Sequence, residues 1–430
     1  MFDYKLVRVE KKIRGLVKKG MLCSQNLYVF GVSENTRQII QILRSYGLEP
    51  KNVLDNDKRK QNTYCCGILV IPVEKLGDIC NEKNRFLIYS AYWTEMTAQL
   101  REKGVKKEQI FMLYQEETLR ERLFYAFMGK RIHERLIKKY GDIPIYLCPY
   151  TGTGDIYLIG TFWKQYREKH PEEDYVFVVI SKACEKAALL FEIKNIEVLE
   201  KKMESCYLIQ YFMLCPKKVN LKLLNDSWAQ IHTNPLEWFR GYKGLEFMPI
   251  FRKFVFDLPE EAKPEHPVLK DVREELKETF KELGLKEGNT VILSPYSNTL
   301  ADLPEHFWKQ LAGRLKEMGY EVCTNSSGAT EPAVKGTIPV FFPLNTAPQW
   351  VEMAGYFIGV RSGFCDVISG ARAKKVILYG GCDRFFNASS YEYFNLKDMG
   401  LCEDAVEMEF ESGDTRLCEK VLHPFKKEYH

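Results

Sequence analysis

Short apolar runs alternate with amphipathic stretches along most of this sequence of 430 residues. The run "LYVFGV" (27–32) precedes a stretch, 35–46, in which Ile39, Ile40 and Leu43 recur at the spacing of one helix face. Two later apolar runs, "IYLCPY" (145–150) and "TVILSPY" (290–296), also precede amphipathic stretches. A strand followed by a helix is the repeating unit of a parallel sheet. The pattern therefore predicts an α/β protein of three Rossmann-like parallel α/β units.

Proline-rich and charged segments divide the chain. The segment "FDLPEEAKPEHPVLKD" (256–271) contains three prolines and is the strongest domain boundary. The long charged stretch "ETLRERLFYAFMGKRIHERLIKKYG" (117–141) is predicted to be a connecting helix. We therefore predict an N-terminal helical segment (1–25), a first α/β unit (26–116), a helical connector (117–142), a second unit (143–260) and a third unit (261–430).

The charge balance limits the classes of partner. The chain has 62 basic and 58 acidic residues and a formal net charge of +4, which gives no basic field for nucleic acid. Basic residues cluster in "KLVRVEKKIRGLVKKG" (5–20), which is either a solvated helix face or a membrane-surface contact. No apolar run approaches the roughly 20 residues of a membrane span. We expect a cytoplasmic protein without nucleic-acid partners, and peripheral contact with the inner face of the membrane stays open.

Cysteine and histidine usage gives no metal or disulfide signal. The 13 cysteines include no C-x-x-C pair, no signal peptide is recognised, and the seven histidines form no H-E-x-x-H. Irregular spacing and an odd number of cysteines indicate reduced thiols in the cytosol. We expect no metal site.

The first unit carries partial signs of a nucleotide site. One glycine, Gly31, follows the first predicted strand, and Ser33 or Asn35 can cap the next helix. Asp55 ends the second predicted strand, where an acidic residue can bind a ribose. The alternative for Asp55 is a turn with Asn56.

The second unit has a tight glycine-rich turn, Gly152-Thr153-Gly154-Asp155, before a predicted helix. Glycines let a ligand approach the main chain, and free N–H groups at a helix start favour an anion. A carboxylate at Asp155 repels phosphate, so it is either the N-cap of the helix or a general base facing a cleft.

Candidate binding residues, most of them polar, follow three predicted strands of the third unit. They are Ser294, Tyr296, Ser297 and Asn298 after the first strand, Ser326, Ser327 and Glu331 after "YEVCTN", and Arg361, Ser362, Gly363 and Phe364 after "GYFIGV". The carboxyl ends of parallel strands form the edge where open sheets bind ligands. Cys365 follows the last group and is either a buried helix residue or a thiol nucleophile.

The first unit resembles the small nucleotide-sugar-binding Rossmann domain of bacterial surface-polysaccharide proteins. The resemblance covers about 26–114 and rests on "G-x-x-x-N", then "DND-x-x-K", then "G-x-x-V-I-P", then an apolar strand and "L-x-x-x-G-V". It implies an accessory nucleotide(-sugar)-binding domain with a site at Gly31, Ser33, Asn35 and Asp55.

The second and third units resemble the ADP-heptose–lipopolysaccharide heptosyltransferases of glycosyltransferase family 9, over about 143–381. In "IYLCPYTGTGDIYLIGTFWKQYREKHPEEDYVFVV" a strand leads to G-x-G-D, a helix, a proline and a second strand. "VILSPYSN" stands where the family has a strand and H-P-G-A/S. "LPEHFWKQLAGRLKEMGYEVCTNSSGATE" and "LNTAPQWVEMAGYFIGVRSGFCDVISGARAKKVILYG" match the family's next two motifs.

This resemblance implies a GT-B cleft between an acceptor domain (143–260) and a nucleotide-sugar donor domain (261–430). It implies an inverting transfer without a required metal or cofactor, in which Asp155 takes the proton of the acceptor hydroxyl. The donor is a nucleotide-diphosphate sugar, and the acceptor is a surface-polysaccharide glycan or a lipid-linked glycan. Ser362 and Gly363 cradle the donor diphosphate, Ser294 to Ser297 line its pocket, and Glu331 is the matched acid.

Departures from the family pattern leave the donor open. The family's Asp before Ser-Gly is Arg361 here, which we expect to contact phosphate, with a salt bridge to Asp366 as the alternative. The family's later His and its Lys are missing, so ADP-heptose is not carried over. "RSGF" is also similar to fucosyltransferase-like GT-B enzymes, which use a GDP-sugar. The competing functions are a non-catalytic nucleotide-sugar-binding or regulatory protein of polysaccharide assembly and a GT-B-fold sugar-nucleotide epimerase.

Overall fold

A computed structural model describes residues 4–58, 60–76, 81–90, 92–113, 118–171, 174–225, 247–297, 303–380, 390–410, 414 and 416–425. The chain divides into two compact units, residues 3–125 and residues 126–430. The first contains one sheet and the second contains two.

The smaller unit is a Rossmann-like layer with one added edge strand. Its elements are α1 (Tyr4–Lys18), β1 (Leu27–Phe30), α2 (Glu34–Ser45), β2 (Asn52–Leu54), β3 (Tyr64–Cys65), β4 (Ile68–Ile71), β5 (Arg85–Ile88), α3 (Trp93–Glu102) and β6 (Ile110–Met112). The strand order is β3-β4-β2-β1-β5-β6. All neighbouring strands are parallel except β3 and β4, which are antiparallel.

The apolar face of the basic N-terminal segment lies in the core of this unit. Val9 and Ile13 of α1 are 1% and 0% exposed. They belong to the same buried cluster as Leu27 of β1 and Ile39 and Leu43 of α2. Burial of these side chains stabilises the fold through the hydrophobic effect. The exposed side chains described in α1 are all charged. Both interpretations of this segment, a solvated helix face and a membrane-surface contact, stay predictions.

A four-stranded sheet opens the larger unit. Its elements are α4 (Leu119–Tyr140), β7 (Ile145–Leu147), α5 (Thr153–Lys169), β8 (Val176–Val179), α6 (Lys182–Leu189), β9 (Ile196–Val198), α7 (Lys202–Leu214) and β10 (Leu221–Leu223). The strand order is β10-β7-β8-β9, all parallel. Ile156, Ile159 and Phe162 of α5 are at most 1% exposed and belong to the main core.

The third sheet has six parallel strands. Its elements are α8 (Arg273–Glu282), β11 (Thr290–Ser294), α9 (Glu305–Glu317), β12 (Glu321–Asn325), β13 (Ile338–Val340), α10 (Ala347–Ala354), β14 (Gly355–Val360), α11 (Gly363–Val367), β15 (Lys374–Gly380), α12 (Ser390–Phe394), β16 (Val406–Phe410) and α13 (Leu417–Leu422). The strand order is β13-β12-β11-β14-β15-β16. This is the doubly wound order 3-2-1-4-5-6.

The prediction of three parallel α/β units is confirmed by these sheets. In the third sheet the winding direction reverses between β11 and β14, and in the second sheet it reverses between β7 and β10. Open parallel sheets bind ligands at the carboxyl end of such a reversal. The division into 143–260 and 261–430 stays a prediction. Within the described ranges, no helix combines the length and apolar character needed to cross a membrane.

Candidate functional site

The segment "GTGD" begins a helix. Gly152 is the N-cap of α5, and Thr153, Gly154 and Asp155 form the first turn of that helix. The predicted tight turn is therefore the helix start itself. Asp155 is not the N-cap, although a carboxylate in the first turn still interacts favourably with the helix dipole.

The carboxylate of Asp155 lies over Gly152. A Cβ atom built on Gly152 would be 2.8 Å from Asp155 Oδ2, which is closer than real Cβ contacts. The thiol of Cys184, on α6, is also near this carboxylate. Burial raises the pKa of the Cys184 thiol, and the negative charge of Asp155 raises it further.

The residues after β11 form one side of the reversal in the third sheet. Ser294 is buried, and its Oγ accepts a hydrogen bond from Asn325 Nδ2 at 3.5 Å. Tyr296 donates its hydroxyl to the carbonyl oxygen of Pro332 at 2.6 Å, and Ser297 is half-buried. Asn298, also predicted here, lies outside the described residues.

The loop after β12 brings three predicted residues together. Ser326 Oγ donates to the carbonyl oxygen of Glu331 at 2.6 Å, and Ser327 Oγ donates to Glu331 Oε2 at 2.9 Å. A β-bridge between Gly328 and Glu331 closes the loop. Ser327 is exposed and Glu331 is half-buried, so both side chains reach the surface at the carboxyl edge of the sheet.

Arg361 is buried in an ion pair. Its Nη2 and Nη1 donate to Asp366 Oδ1 and Oδ2 at 2.6 and 3.1 Å. Its Nε donates to the carbonyl oxygen of Phe394 at 2.9 Å, Nη1 also donates to that of Ser362 at 2.6 Å, and Nη2 contacts Met399 Sδ at 3.7 Å. A guanidinium has five N–H donors, and these contacts engage all of them.

The predicted phosphate contact of Arg361 is therefore replaced by its alternative, the salt bridge to Asp366. Burial opposes the positive charge, but the adjacent Asp366 carboxylate outweighs it and raises the pKa of Arg361. Arg361 is 8% exposed. The sequence offered both partners, and the choice depends on the packing around the guanidinium.

The residues after Arg361 divide between surface and core. Ser362 is the N-cap of α11, and the ring of Phe364 packs against Phe357 with ring centroids 6.0 Å apart. Cys365 is fully buried, and its Sγ donates to the carbonyl oxygen of Val360 at 3.4 Å. Burial raises the pKa of the Cys365 thiol to about 11. The core interpretation of Cys365 therefore fits, since a nucleophile needs an accessible thiolate.

The segments that follow β7 and β14, at the two reversals, are in contact at Gly154 and Gly363. A Cβ on Gly154 would be 2.8 Å from Gly363 Cα and 2.7 Å from Asp366 Oδ2. A Cβ on Gly363 would be 2.6 Å from the Gly154 nitrogen and 3.2 Å from Thr153 Oγ1. The main chains of α5 and α11 thus touch. We predicted that a ligand approaches the main chain at Gly154, and instead the other main chain occupies that space.

His266, which the sequence analysis did not select, links the same parts of the chain. Its Nδ1 is 3.0 Å from Tyr157 Oη of α5, and its Nε2 is 3.0 Å from the carbonyl oxygen of Leu401. A carbonyl only accepts, so Nε2 carries the proton and Tyr157 donates to Nδ1. Burial lowers the pKa of His266, the bond to Leu401 opposes this, and the charge of Lys375 lowers it further. The only sequence signal was a histidine within a Pro-rich boundary.

In the smaller unit, the loop after β1 uses its N–H groups internally. Val32 N–H donates to Asp55 Oδ2 at 2.6 Å, and Ser33 N–H donates to Thr36 Oγ1 at 3.0 Å. Asp55 Oδ1 accepts from Asp57 N–H at 2.7 Å. This is an Asx-type turn, close to the turn alternative for Asp55.

The three remaining predicted residues of this unit lie in this loop and at the start of α2. Gly31 has φ of +95°, a conformation that glycine adopts readily, and its N–H donates to the carbonyl oxygen of Leu54 at 2.8 Å. Ser33 is the N-cap of α2, and Asn35 lies within that helix with a side chain outside the described residues. The nucleotide site of this unit stays a prediction.

Comparison with known proteins finds likeness in structure only. No protein-family model matches the chain, and no curated protein matches it in sequence. The ADP-heptose LPS heptosyltransferase II of E. coli matches with a TM-score of 0.44 and 14% identity, over 66% of this chain and 97% of its own. The family 9 glycosyl transferase of Veillonella parvula DSM 2008 matches with a TM-score of 0.42 and 15% identity, over 67% and 90%. E. coli heptosyltransferase WaaC, solved with ADP, matches with a TM-score of 0.39 and 11% identity, over 66% and 98%.

These structural neighbours are glycosyltransferases, the class that the motifs resemble. Within the described residues, no group of three or more His, Cys, Asp or Glu side chains could hold a metal ion.

Proposed function

We propose that this protein is an inverting glycosyltransferase that moves a sugar from a nucleotide-diphosphate sugar to a surface-polysaccharide acceptor. The observation that carries the proposal is the meeting of two sheet reversals, β7/β10 and β11/β14, at Gly154 and Gly363. In open parallel sheets, such a reversal is the edge at which ligands bind. Asp155 follows Gly154 on one side of this contact, and Ser362 precedes Gly363 on the other.

The donor would bind along the carboxyl edge of the third sheet. Ser294 and Ser297 follow β11, and Ser362 follows β14, so main-chain N–H groups and hydroxyls can contact the diphosphate. Because α11 has only five residues, individual N–H groups rather than a helix dipole would stabilise its charge. The hydroxyl of Ser327 and the carboxylate of Glu331 can form hydrogen bonds with the hydroxyl groups of the sugar.

Asp155 would act as the general base. In a single displacement, the acceptor oxygen attacks the anomeric carbon, the bond from that carbon to the diphosphate oxygen breaks, and Asp155 takes the acceptor proton. The diphosphate leaves with the bond's electron pair. The step needs no redox partner, and we propose no metal or cofactor for it.

The partners and location that we propose follow from this role. The acceptor would be a glycan or a lipid-linked glycan, and the protein would work in the cytoplasm, where nucleotide sugars are its donors. Contact with the inner face of the membrane would then involve the charged face of α1, because Val9 and Ile13 are buried.

The test is release of nucleoside diphosphate from a panel of UDP-, GDP-, ADP- and dTDP-sugars, with and without a polysaccharide acceptor extract. Wild type should turn over one donor class. Asp155→Asn should still bind that nucleotide and lose about 10²–10⁴-fold in turnover. Full turnover by Asp155→Asn would remove the base assignment. Binding of a nucleotide sugar by wild type without any turnover would favour the non-catalytic binding protein.

A further inference from the structure

We propose that the glycines of "GTGD" are positioning residues: Gly152 sets the place of the Asp155 carboxylate, and Gly154 sets its distance from the donor edge. The inference rests on the proposed role of Asp155 as the general base. Glycine is needed at both positions because of contacts within the protein, and not because a ligand approaches the main chain there.

Gly152 makes room for the carboxylate. Its backbone has φ of −85° and ψ of 139°, a conformation that any residue adopts, so the main chain does not require glycine here. A Cβ at this position would be 2.8 Å from Asp155 Oδ2 and 3.9 Å from its Cγ. The contacted atom is the end of a flexible side chain. A methyl group would therefore displace the carboxylate and leave the main chain of α5 in place.

Gly154 makes room for a main chain. The Cβ of an alanine there would be 2.8 Å from Gly363 Cα, and a Cβ on Gly363 would be 2.6 Å from the Gly154 nitrogen. Main-chain atoms cannot rotate away as a side chain can. Any larger residue would push α5 and α11 apart, and with them Asp155 and the β14 edge.

The Arg361–Asp366 ion pair lies next to this contact between α5 and α11 and restricts the position of the Asp366 carboxylate. Asp366 Oδ2 is 2.7 Å from the position of a Cβ on Gly154, and it accepts from Arg361 Nη1 at 3.1 Å. Asp366 is therefore not free to yield to a side chain at residue 154. This gives Arg361 a positioning role through Asp366 and Gly154, in place of the phosphate contact.

The two glycines predict different effects on kinetics. In Gly152→Ala, a carboxylate moved by about 1 Å should lower kcat by about 100-fold while KM for the donor stays unchanged. The melting temperature should fall only slightly, because alanine is a poorer N-cap than glycine. In Gly154→Ala, α5 and α11 should move apart, so KM should rise, kcat should fall and the melting temperature should drop. The matched control is Gly313→Ala in α9, where a Cβ meets nothing within 4 Å. It should keep wild-type kcat and KM, and its melting temperature should not fall, because alanine favours an exposed helix position over glycine.

A crystal structure of Gly152→Ala gives a readout that does not need turnover. Asp155 Oδ2 should be displaced by more than 1 Å with the α5 main chain unchanged. An undisplaced carboxylate, or wild-type kcat in Gly152→Ala when Asp155→Asn is inactive, would overturn the positioning role and leave the proposed function standing. Turnover by Asp155→Asn at the wild-type rate would instead remove the proposed base.

Discussion

Removal of one partner from the Arg361–Asp366 pair should strongly destabilise the third α/β unit. The side chains are 9% and 4% exposed, and the pair is bidentate. Asp366→Asn keeps the side-chain shape but leaves the guanidinium buried without a counter-charge. Loss of one partner of a buried pair costs about 3–5 kcal/mol.

This cost corresponds to a large thermal shift. For a domain of 150–250 residues, each kcal/mol lowers the melting temperature by about 2–4 °C. Asp366→Asn should therefore lower the melting transition of this unit by about 6–20 °C. Urea unfolding should show a lower midpoint with an unchanged slope, because the surface exposed on unfolding stays the same.

A double variant separates the charge from the packing. Arg361→Met with Asp366→Leu removes both charges and fills the space with apolar groups, so it should be clearly more stable than Asp366→Asn. The control is Glu274→Gln, which breaks the exposed pair Lys277–Glu274 on α8 and should leave the melting temperature unchanged. If Asp366→Asn lowered the free energy of unfolding by less than about 1 kcal/mol, the pair would behave as an exposed ion pair, and the buried position of Arg361 would be refuted.

Three further predictions concern buried groups. His266 has a lowered pKa in the folded state, so the unfolded state binds more protons at acid pH, and stability should fall as the pH drops below 6.5. Urea titrations from pH 7.5 to 5 should show this loss, and His266→Gln should reduce it; an equal slope in both proteins would contradict it. Iodoacetamide at neutral pH should label the exposed Cys23 and spare Cys365 until the protein unfolds, and rapid labelling of folded Cys365 would show an accessible thiol. Gly160→Ala should destabilise by about 1–3 kcal/mol in urea unfolding because its Cβ would lie 2.1 Å from the Phe191 ring, and a neutral effect would mean that this ring moves freely.

Much of the fold follows from local sequence. Buried strands such as β8 and β11 are short apolar runs bounded by polar residues, and each is buried throughout in the structure. The predicted strands extend a little too far, since "IYLCPY" ends as a strand at Leu147. Strand ends depend on hydrogen bonds to neighbouring strands, which a local pattern does not contain.

The sequence predicted which edge of the third sheet carries the candidate site. It did not predict the contacts that the residues of the site make. The polar groups after β11, β12 and β14 were found because they follow apolar runs. The packing role of Gly154 was not predicted, and the choice between phosphate and Asp366 as the partner of Arg361 stayed open, because both depend on packing between distant segments. Gly154 meets Gly363, and Arg361 bonds to Phe394 through Nε. No feature within the "GTGD" or "RSGF" segments specifies these neighbours.

Binding of nucleoside diphosphates tests the central claim most directly. Isothermal titration with UDP, GDP, ADP, CDP and dTDP would give the affinity for each nucleotide. Amide hydrogen exchange of the protein with the tightest-binding nucleotide would then give the location of its binding site. We predict that one nucleotide binds once per chain and that it protects residues 294–297, after β11, and residues 362–364, after β14. At 100 times its Kd it should stabilise the protein by about 2.7 kcal/mol. Failure of all five nucleotides to bind, or protection confined to residues 31–36 and 55–57 of the smaller unit, would contradict the donor site at β11 and β14.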